Sequence, residues 1–383
     1  AAFVVIVWSP VWPWQMPPAG WLRVTFLDVG QGDAILVELP SGRALAVDAG
    51  GASPGFDVGE RVVRPALWAL GRRRLDWLAL THGDGDHAGG VPAVLTAFKP
   101  REFWEGVPVP ADPRGQDRRR LATALGTAWR QLQAGDRLED GDVTLDVWHP
   151  PRPDWERPVV RNDDSVVLRL AFGDVRLLLT GDAGRDVEAG WPALDGRLRV
   201  VQAPHHGSRT SSGPAFVRGT APHAVVISVG RGNTFGHPAS DVLRAYAEAG
   251  AAIFRTDQDG AVTLETDGRR LRIRTWAGRR WEASIGAVDG AVRLVVASNL
   301  LDATVSPVRL SDLEPGQPAR FYDHAPSLDG EARDLLRALG LTASAILRVR
   351  RRGDPCIVQI RATRIGVSAS VAGQILVLPQ AGV

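Results

Sequence analysis

The sequence predicts an α/β fold, a four-layer αββα sandwich with two facing sheets inside and helices on both outer faces. Three observations predict it. Between residues 21 and 282, short apolar runs of strand length recur in both halves of the chain, separated by stretches with helical spacing, so each half supplies a sheet and its own helices. Most of these runs end in turns rich in Asp, His and Gly, which puts polar side chains from both halves at strand tips on one edge. At 383 residues, 44% apolar and 23% charged, the chain is long enough for two domains and has the composition of an ordinary globular protein.

In chain order, residues 1–8 are apolar but too few to span a bilayer, which takes about 20. With Trp8, Trp12, Trp14 and Trp21 nearby and Pro10, Pro13, Pro17 and Pro18 ending any helix, residues 1–20 are expected to be the end of a truncated transmembrane helix and its linker. Runs at 24–27, 34–38 and 44–47 read as a three-strand meander. Residues 59–70 have helical spacing, and Arg72, Arg73 and Arg74 suit the C-terminal end of that helix. A buried strand at 77–80 and a helix starting at 88 flank a polar heptapeptide. A second long helix is predicted over 117–133, with Leu121, Leu125, Ala128, Trp129 and Leu132 on one stripe. Arg118, Arg119 and Arg120 at its start oppose the helix dipole and therefore read as facing phosphate. Strands follow at 143–148, 165–170, 175–179, 198–202 and 224–229, then a helix at 238–249 and three closing strands over 251–275.

The chemistry starts from the heptapeptide Thr81-His82-Gly83-Asp84-Gly85-Asp86-His87. Two imidazoles and two carboxylates crowd one strand-to-helix turn, which is costly unless a cation collects them. His82 and Asp84 are expected to face one metal position, and Asp86 and His87 a second one beside it. Asp182, after the apolar run 177–179, is suited to bridge two ions. One member of the pair His205 and His206 should reach a metal and the other the substrate, and the sequence leaves open which. Asp163, in Asn162-Asp163-Asp164-Ser165, is expected to complete the first site, and His149 is read as structural. Cys356 is the sole cysteine, which excludes a disulfide framework and a multi-thiolate metal site. Net charge is +2 and the pI about 9.2, with Lys99 the one lysine, a bias towards Arg that suits bidentate phosphate contacts.

Several segments together carry a resemblance: Asp28-Val29-Gly30-Gln31-Gly32-Asp33, Val47-Asp48-Ala49-Gly50, the heptapeptide, Leu179-Thr180-Gly181-Asp182, Pro204-His205-His206-Gly207-Ser208 and Asn233-Thr234-Phe235-Gly236-His237-Pro238. In this order they resemble the metallo-β-lactamase superfamily, and more narrowly the C-terminal domain of the ComEC family of bacterial DNA-uptake channels. The resemblance covers residues 21–282. It implies two divalent metal ions and a metal-dependent phosphodiester hydrolase acting on DNA, single-stranded or the degraded strand, during competence. It also implies association with the family's membrane channel portion, on the outer face of the cytoplasmic membrane. It places Asp33 and Asp48 beside the metals as proton-handling or supporting groups. Asp84 stands where the commoner motif has His, which hardens the site and favours Mn²⁺ over Zn²⁺. The expected catalytic residues are thus Asp33, Asp48, Asp86, His206, Ser208 and His237, with Ser208, Asn233 and His237 holding phosphate oxygens. The expected metal ligands are His82, Asp84, Asp86, His87, Asp163, Asp182, His205 and His206. Competing expectations are a phosphodiesterase for small or lipid-linked phosphoesters and a non-catalytic DNA-binding scaffold.

Residues 283–306 read as a linker. Residues 307–383 resemble FeoA through Leu310-Ser311-Asp312-Leu313-Glu314-Pro315-Gly316, a Leu-rich segment at 335–342, Gly353-Asp354-Pro355 and Arg364-Ile365-Gly366-Val367. That resemblance implies a small all-β barrel and a protein partner, in that family usually the ferrous-iron transporter. Arg348 to Arg352 read as an alternating strand and a solvated basic turn.

Overall fold

The computed structural model describes residues 17–53, 55–152, 156–286, 291–295, 308–324, 328, 336, 346–360 and 363–379, in two units, Ala1–Ala297 and Ser298–Val383. The membrane-helix remnant expected at 1–8 lies outside the described residues. Among the described residues no helix is long and apolar enough to cross a membrane.

In the first unit β1 (Leu22–Phe26), β2 (Ile35–Glu38) and β3 (Ala44–Val47) form the expected antiparallel meander. A short hairpin of β4 (Ala52–Ser53) and β5 (Phe56–Asp57) follows. β6 (Trp77–Leu80), β7 (Glu102–Glu105) and β8 (Ala128–Gln131) extend the meander in parallel. A second sheet begins with β9 (Arg137–Asp140), β10 (Val143–His149), β11 (Val167–Phe172) and β12 (Val175–Leu179), all antiparallel. It ends with β13 (Leu198–Gln202), β14 (Ala224–Ile227) and β15 (Ala252–Arg255), parallel to β12. The chain then returns to the first sheet, where β16 (Val262–Thr266) pairs with β1 and is followed by β17 (Arg270–Thr275), β18 (Arg280–Ile285) and β19 (Val292–Val295). The strand orders are β19-β18-β17-β16-β1-β2-β3-β6-β7-β8 and β15-β14-β13-β12-β11-β10-β9.

Strand alternation explains the layers. Leu45 and Val47 of β3 pack in one core with Leu168, Leu170, Leu177 and Val200 of the second sheet, so the two sheets face each other. The intervening Ala44 and Ala46 point outward into a core with Val63, Leu67, Val94 and Phe98 from helices. On the other side Leu178, Val201 and Val225 meet Phe216, Val242 and Tyr246, again from helices. Each large apolar side chain buried this way contributes about 1.5–3 kcal/mol. The outcome is the αββα order expected. Because β3 and β6 are parallel, Asp48 and His82 emerge at one edge; β12 and β13 are also parallel and deliver Asp182 and the pair His205 and His206 in the same manner.

Three local expectations are corrected. The helix predicted over 117–133 is instead Pro113–Ala124 followed by β8. Asp112 caps its start, accepting from the Arg114 and Gly115 N–H groups at 3.1 and 2.8 Å, and Gly126, at φ +76°, ends it in a left-handed turn that the apolar stripe alone did not reveal. The arginines at its start do not wait for phosphate. Arg118 is buried within 3.7 Å of Glu105 and 3.5 Å of Asp112, Arg119 donates to Glu105 at 2.7 Å, and Arg120 pairs with Asp117. Lastly, residues 283–285 finish β18 and 292–295 form β19, both within the stretch read as linker; residues 287–290 and 296–306 of that stretch lie outside the described residues.

The second unit is a six-stranded antiparallel sheet with its own core. Its strands are β20 (Val308–Arg309), β21 (Pro318–His324), β22 (Ile346–Arg351), β23 (Cys356–Ile360), β24 (Thr363–Val367) and β25 (Ile375–Pro379), in the order β20-β25-β21-β22-β23-β24. Leu310, Leu313, Leu347, Val349, Val358 and Ile375 fill the core. The basic run alternates as expected, with Leu347 and Val349 inward, and Arg352 ties its turn to the Leu313 and Asp312 carbonyls at 2.7 and 2.6 Å. Most of the Leu-rich segment at 335–342 lies outside the described residues.

Candidate metal centre

Of the chain's 8 histidines, His82, His87, His205, His206 and His237 gather at the strand-tip edge. The centre is built from Asp48 outward. Asp48 ends β3 in a left-handed conformation, φ 58°, which turns its carboxylate back across the sheet. There it accepts the Thr81 N–H at 2.7 Å and the Thr81 hydroxyl at 2.7 Å, fixing the start of the heptapeptide. Its Oδ2 is also 2.8 Å from His87 Nδ1. A carboxylate can only accept, so Nδ1 carries the proton and Nε2 presents its lone pair to the opposite side. His206 is set in the same manner by a carbonyl, with Nδ1 2.9 Å from Ser228 O.

Both Nε2 atoms then face carboxylates. His87 Nε2 is 3.2 Å from Asp182 Oδ1, and His206 Nε2 is 3.4 Å from Asp182 Oδ2 and 3.3 Å from Asp86 Oδ2. None of His82 Nε2, His87 Nε2, His206 Nε2 and Asp182 Oδ1 makes a hydrogen bond, although all four are buried. Lone pair facing lone pair in a buried site is repulsive unless a positive charge lies between them. A proton can supply that charge as well as a metal ion, and the titration of these groups shows how strongly the site draws one. Burial alone would lower His206, but Asp182 outweighs it, with Asp86 and Asp33 adding to the effect, and the imidazole is raised to about 9. Burial alone would raise Asp182, but His87 and His206 hold it well below the usual carboxylate range. Asp86, likewise pulled down against its burial by His206 and His87, lies at about 2. Asp86, His87, Asp182 and His206 place one donor each within 4.8 Å of one another, a set that fits a divalent cation.

The other expected residues are placed around this set. His82 stands beside this set, its ring centroid 4.3 Å from that of His87 and its Nε2 3.6 Å from Asp84 Oδ2, so the His82 and Asp84 pair adjoins the cluster. Asp33 is buried behind His87, 3.7 Å from its Nδ1; burial pushes its carboxyl up, and Gln202 donates to it at 2.7 Å. His205 is the outward member of its pair: its Nε2 is 3.7 Å from Asp182 but it lines an open cleft and contacts Asn162 at 3.3 Å. Asp163, Ser208 and His237 are not drawn into the four-residue set. Asp163 accepts the Gly184 N–H at 2.9 Å, Ser208 bonds Thr210 at 3.0 Å, and His237 touches the cluster through His205, with ring centroids 5.6 Å apart. Asn233 is corrected as a phosphate ligand, because both ends of its amide are spent on its own loop.

Local backbone makes this geometry. After β13 the chain passes His205, His206 and Gly207 at φ 49°, 53° and 76°, a left-handed run that turns the His206 ring inward. Two non-glycine residues in that region cost about 1–2 kcal/mol each, a strain usually found where function requires it. Gly32 is required for a different reason: a Cβ there would lie 2.1 Å from Asp86 O. Sequence reasoning missed Gln202 and the supporting role of Ser165. Ser165 donates or accepts at three places, including the Asp182 N–H at 3.1 Å and His82 Nδ1 at 3.4 Å, and His149 holds its carbonyl at 3.1 Å. A glutamine ending the otherwise apolar β13 was the available signal for Gln202.

Residues 27–231 match the metallo-beta-lactamase superfamily, more than half of the chain, and the chain belongs to that superfamily of hydrolase folds. Residues 308–379 match the FeoA domain. Among curated proteins the first unit is similar to "ComE operon protein 3" of Bacillus subtilis, 30% identical over 261 residues, covering 64% of this chain and 33% of the relative. It is also similar to "Competence protein ComA" of Neisseria gonorrhoeae, 32% identical over 271 residues, covering 67% and 35%. "Recombination protein 2" of Haemophilus influenzae is 30% identical over 260 residues, covering 68% and 30%. The chain spans about a third of the length of these relatives, and the resemblance to a competence-type hydrolase domain followed by a FeoA domain holds in both parts.

Proposed function

We propose that the first unit is a divalent-metal-dependent phosphodiesterase whose substrate is DNA. The observation that carries this reading is the convergence of buried His87 Nε2, His206 Nε2 and Asp182 Oδ1, none with a hydrogen bond, beside a cleft that Arg161, Arg185 and Arg209 line together with Asp163 and Asp186. Asp86, His87, Asp182 and His206 would hold one divalent ion, and His82 with Asp84 would begin a second position; such ions lower the pKa of water and offset charge that builds on phosphorus. The chain's own residues do the rest. Asp48 keeps His87 in one tautomer, Ser228 does so for His206, and Asp33 stands behind them as a buried acid held by Gln202. The hard carboxylates of Asp86 and Asp182 favour Mn²⁺ over Zn²⁺. The competence and recombination names of its relatives support DNA as substrate; the setting would be a membrane-associated uptake machine, with the hydrolase on the outer face as the resemblance implies. The FeoA-like unit would add a protein partner. The test is cleavage of single-stranded DNA, nicked duplex and bis(p-nitrophenyl) phosphate after chelation and return of Mn²⁺ or Zn²⁺. Mn²⁺-restored DNA cleavage is expected; hydrolysis of the small ester without DNA cleavage would move the substrate to small phosphoesters, and no hydrolysis of either would leave a binding module.

A further inference from the structure

Phe235 is 67% exposed, yet it is not a loose side chain. The loop that carries it is held from inside by Asn233, whose Oδ1 accepts the Phe235 and His237 N–H groups at 3.2 and 3.1 Å while its Nδ2 donates to the Gly230 and His237 carbonyls at 3.0 and 2.7 Å. The base of the loop is anchored as well, since the Gly230 N–H donates to Gln31 Oε1 at 3.2 Å, and its Cα has a Cβ-free approach to the Gln31 backbone. The Phe235 ring lies on His237, centroids 5.9 Å apart and planes 19° from parallel. His237 in turn meets His205 at 5.6 Å, and His205 lines the cleft that reaches Asp182. An apolar ring costs free energy in water, and a loop that spends an entire amide on presenting one flat and outward has prepared a face for a flat partner.

His205 also lines a cleft that holds arginine side chains. The cleft, about 510 Å³, is lined by Arg161, Arg185 and Arg209 together with Asp163, Asp182 and Asp186. Arg161 and Arg209 are held to carboxylates only at 3.9–4.0 Å, and Arg185 gives its Nε to Ser211 O at 3.2 Å, so guanidinium donors remain for another acceptor. A flat apolar face beside the centre and guanidinium donors along the cleft match the two halves of a nucleotide, base and phosphate. Stacking needs an unpaired base, since a duplex buries the faces of its bases against one another.

The geometry points to Phe235 as a stacking platform for an unpaired nucleobase beside the hydrolytic centre, making the site selective for single strands; this rests on the nucleic-acid reading of that centre. The test is binding, so that it does not depend on turnover. Fluorescence anisotropy of the full chain with labelled oligothymidine, and with an oligomer of equal length whose residues are abasic, is measured in Ca²⁺ for the native chain, Phe235→Ala and Phe235→Trp. Expected is a loss of about tenfold in oligothymidine affinity for Phe235→Ala, none for the abasic oligomer, and retention by Phe235→Trp. Equal affinity of native chain and Phe235→Ala for oligothymidine, or an equal loss on both oligomers, overturns it. So does a native chain that binds the abasic oligomer as tightly, or a Phe235→Ala variant whose only change is lost self-association in sedimentation. Base-dependent binding without cleavage in Mn²⁺ would sink the hydrolase and leave the platform standing.

Discussion

The first unit buries two dense groups of charge, and they are finished differently. In one, Arg23 bridges β1 and β16 by donating to Glu265 at 3.0 and 2.8 Å, and Glu38 Oε1 accepts Arg72 Nε at 2.9 Å while its Oε2 lies 3.6 Å from Arg23. Every carboxylate there faces a guanidinium. In the other, imidazole nitrogens and carboxylate oxygens face each other around Asp182, and four of these buried atoms, His82 Nε2, His87 Nε2, His206 Nε2 and Asp182 Oδ1, make no hydrogen bond. The first arrangement sets a guanidinium against every carboxylate, including Glu38 Oε2, which makes no hydrogen bond but lies within ion-pair distance of Arg23, and it serves the fold. The second turns buried ligand-type atoms of several strand tips toward one point, and that is what distinguishes a site from a strut.

The largest effect that could break this contrast comes from Asp182→Ala. It should cost about a thousandfold or more in hydrolysis and abolish bound metal in elemental analysis, with the fold kept; an active, metal-loaded variant would place the centre elsewhere. Glu38→Ala should do the reverse. It leaves Arg23 and Arg72 buried with less compensation, so denaturant titration should show a loss of about 3–5 kcal/mol while metal stoichiometry in the folded fraction stays unchanged. Third, Mn²⁺ at about 100 times its Kd should stabilise the chain by about 2.7 kcal/mol in the same titration, and Asp182→Ala should abolish that gain while Glu38→Ala keeps it.

The smallest effect concerns a third buried carboxylate, Glu188, which has backbone N–H groups as partners: Ser212 and Gly213 donate to it at 2.7 and 2.9 Å. Burial outweighs those bonds and raises its carboxyl from 4.5 to about 7. Between these values the folded chain binds more protons than the unfolded one, so this group's stabilisation is full below about pH 4.5 and is lost as pH rises through about 7. Glu188→Gln should flatten the fall across that window, read as the difference between native and variant unfolding free energies at each pH. An unchanged slope would mean that Glu188 is ionised throughout.

Much of the centre was legible because its chemistry is dense over short stretches. Four ligand-type residues within 82–87, an aspartate ending an apolar strand at 182 and a histidine pair after β13 are local patterns, and each strand tip announces itself by the change from apolar to polar. Less legible was whatever needed a partner from far away. Arg23 and Glu265 are 242 residues apart and meet because β1 and β16 pair in register, and Gln202 reaches Asp33 across 169 residues. The helix at 113–124 ended early because Gly126 stopped it, while the apolar stripe beyond was equally compatible with an edge strand paired to β7. The arginines at its start looked free only because Glu105 and Asp112 could not be seen beside them.

By itself, then, the order of residues determined which side chains could do chemistry and which layers they belong to, since strand and helix periods and turn-forming glycines are properties of neighbouring residues. Tertiary structure alone decided the division of labour: that His206 faces inward and His205 the cleft, that Asp48 orients His87, that Asp163 serves the Gly184 turn, and that Asn233 spends itself on presenting Phe235. Those roles depend on distances between groups that the chain separates by tens to hundreds of residues, and electrostatic and hydrogen-bond energies vary over ångströms.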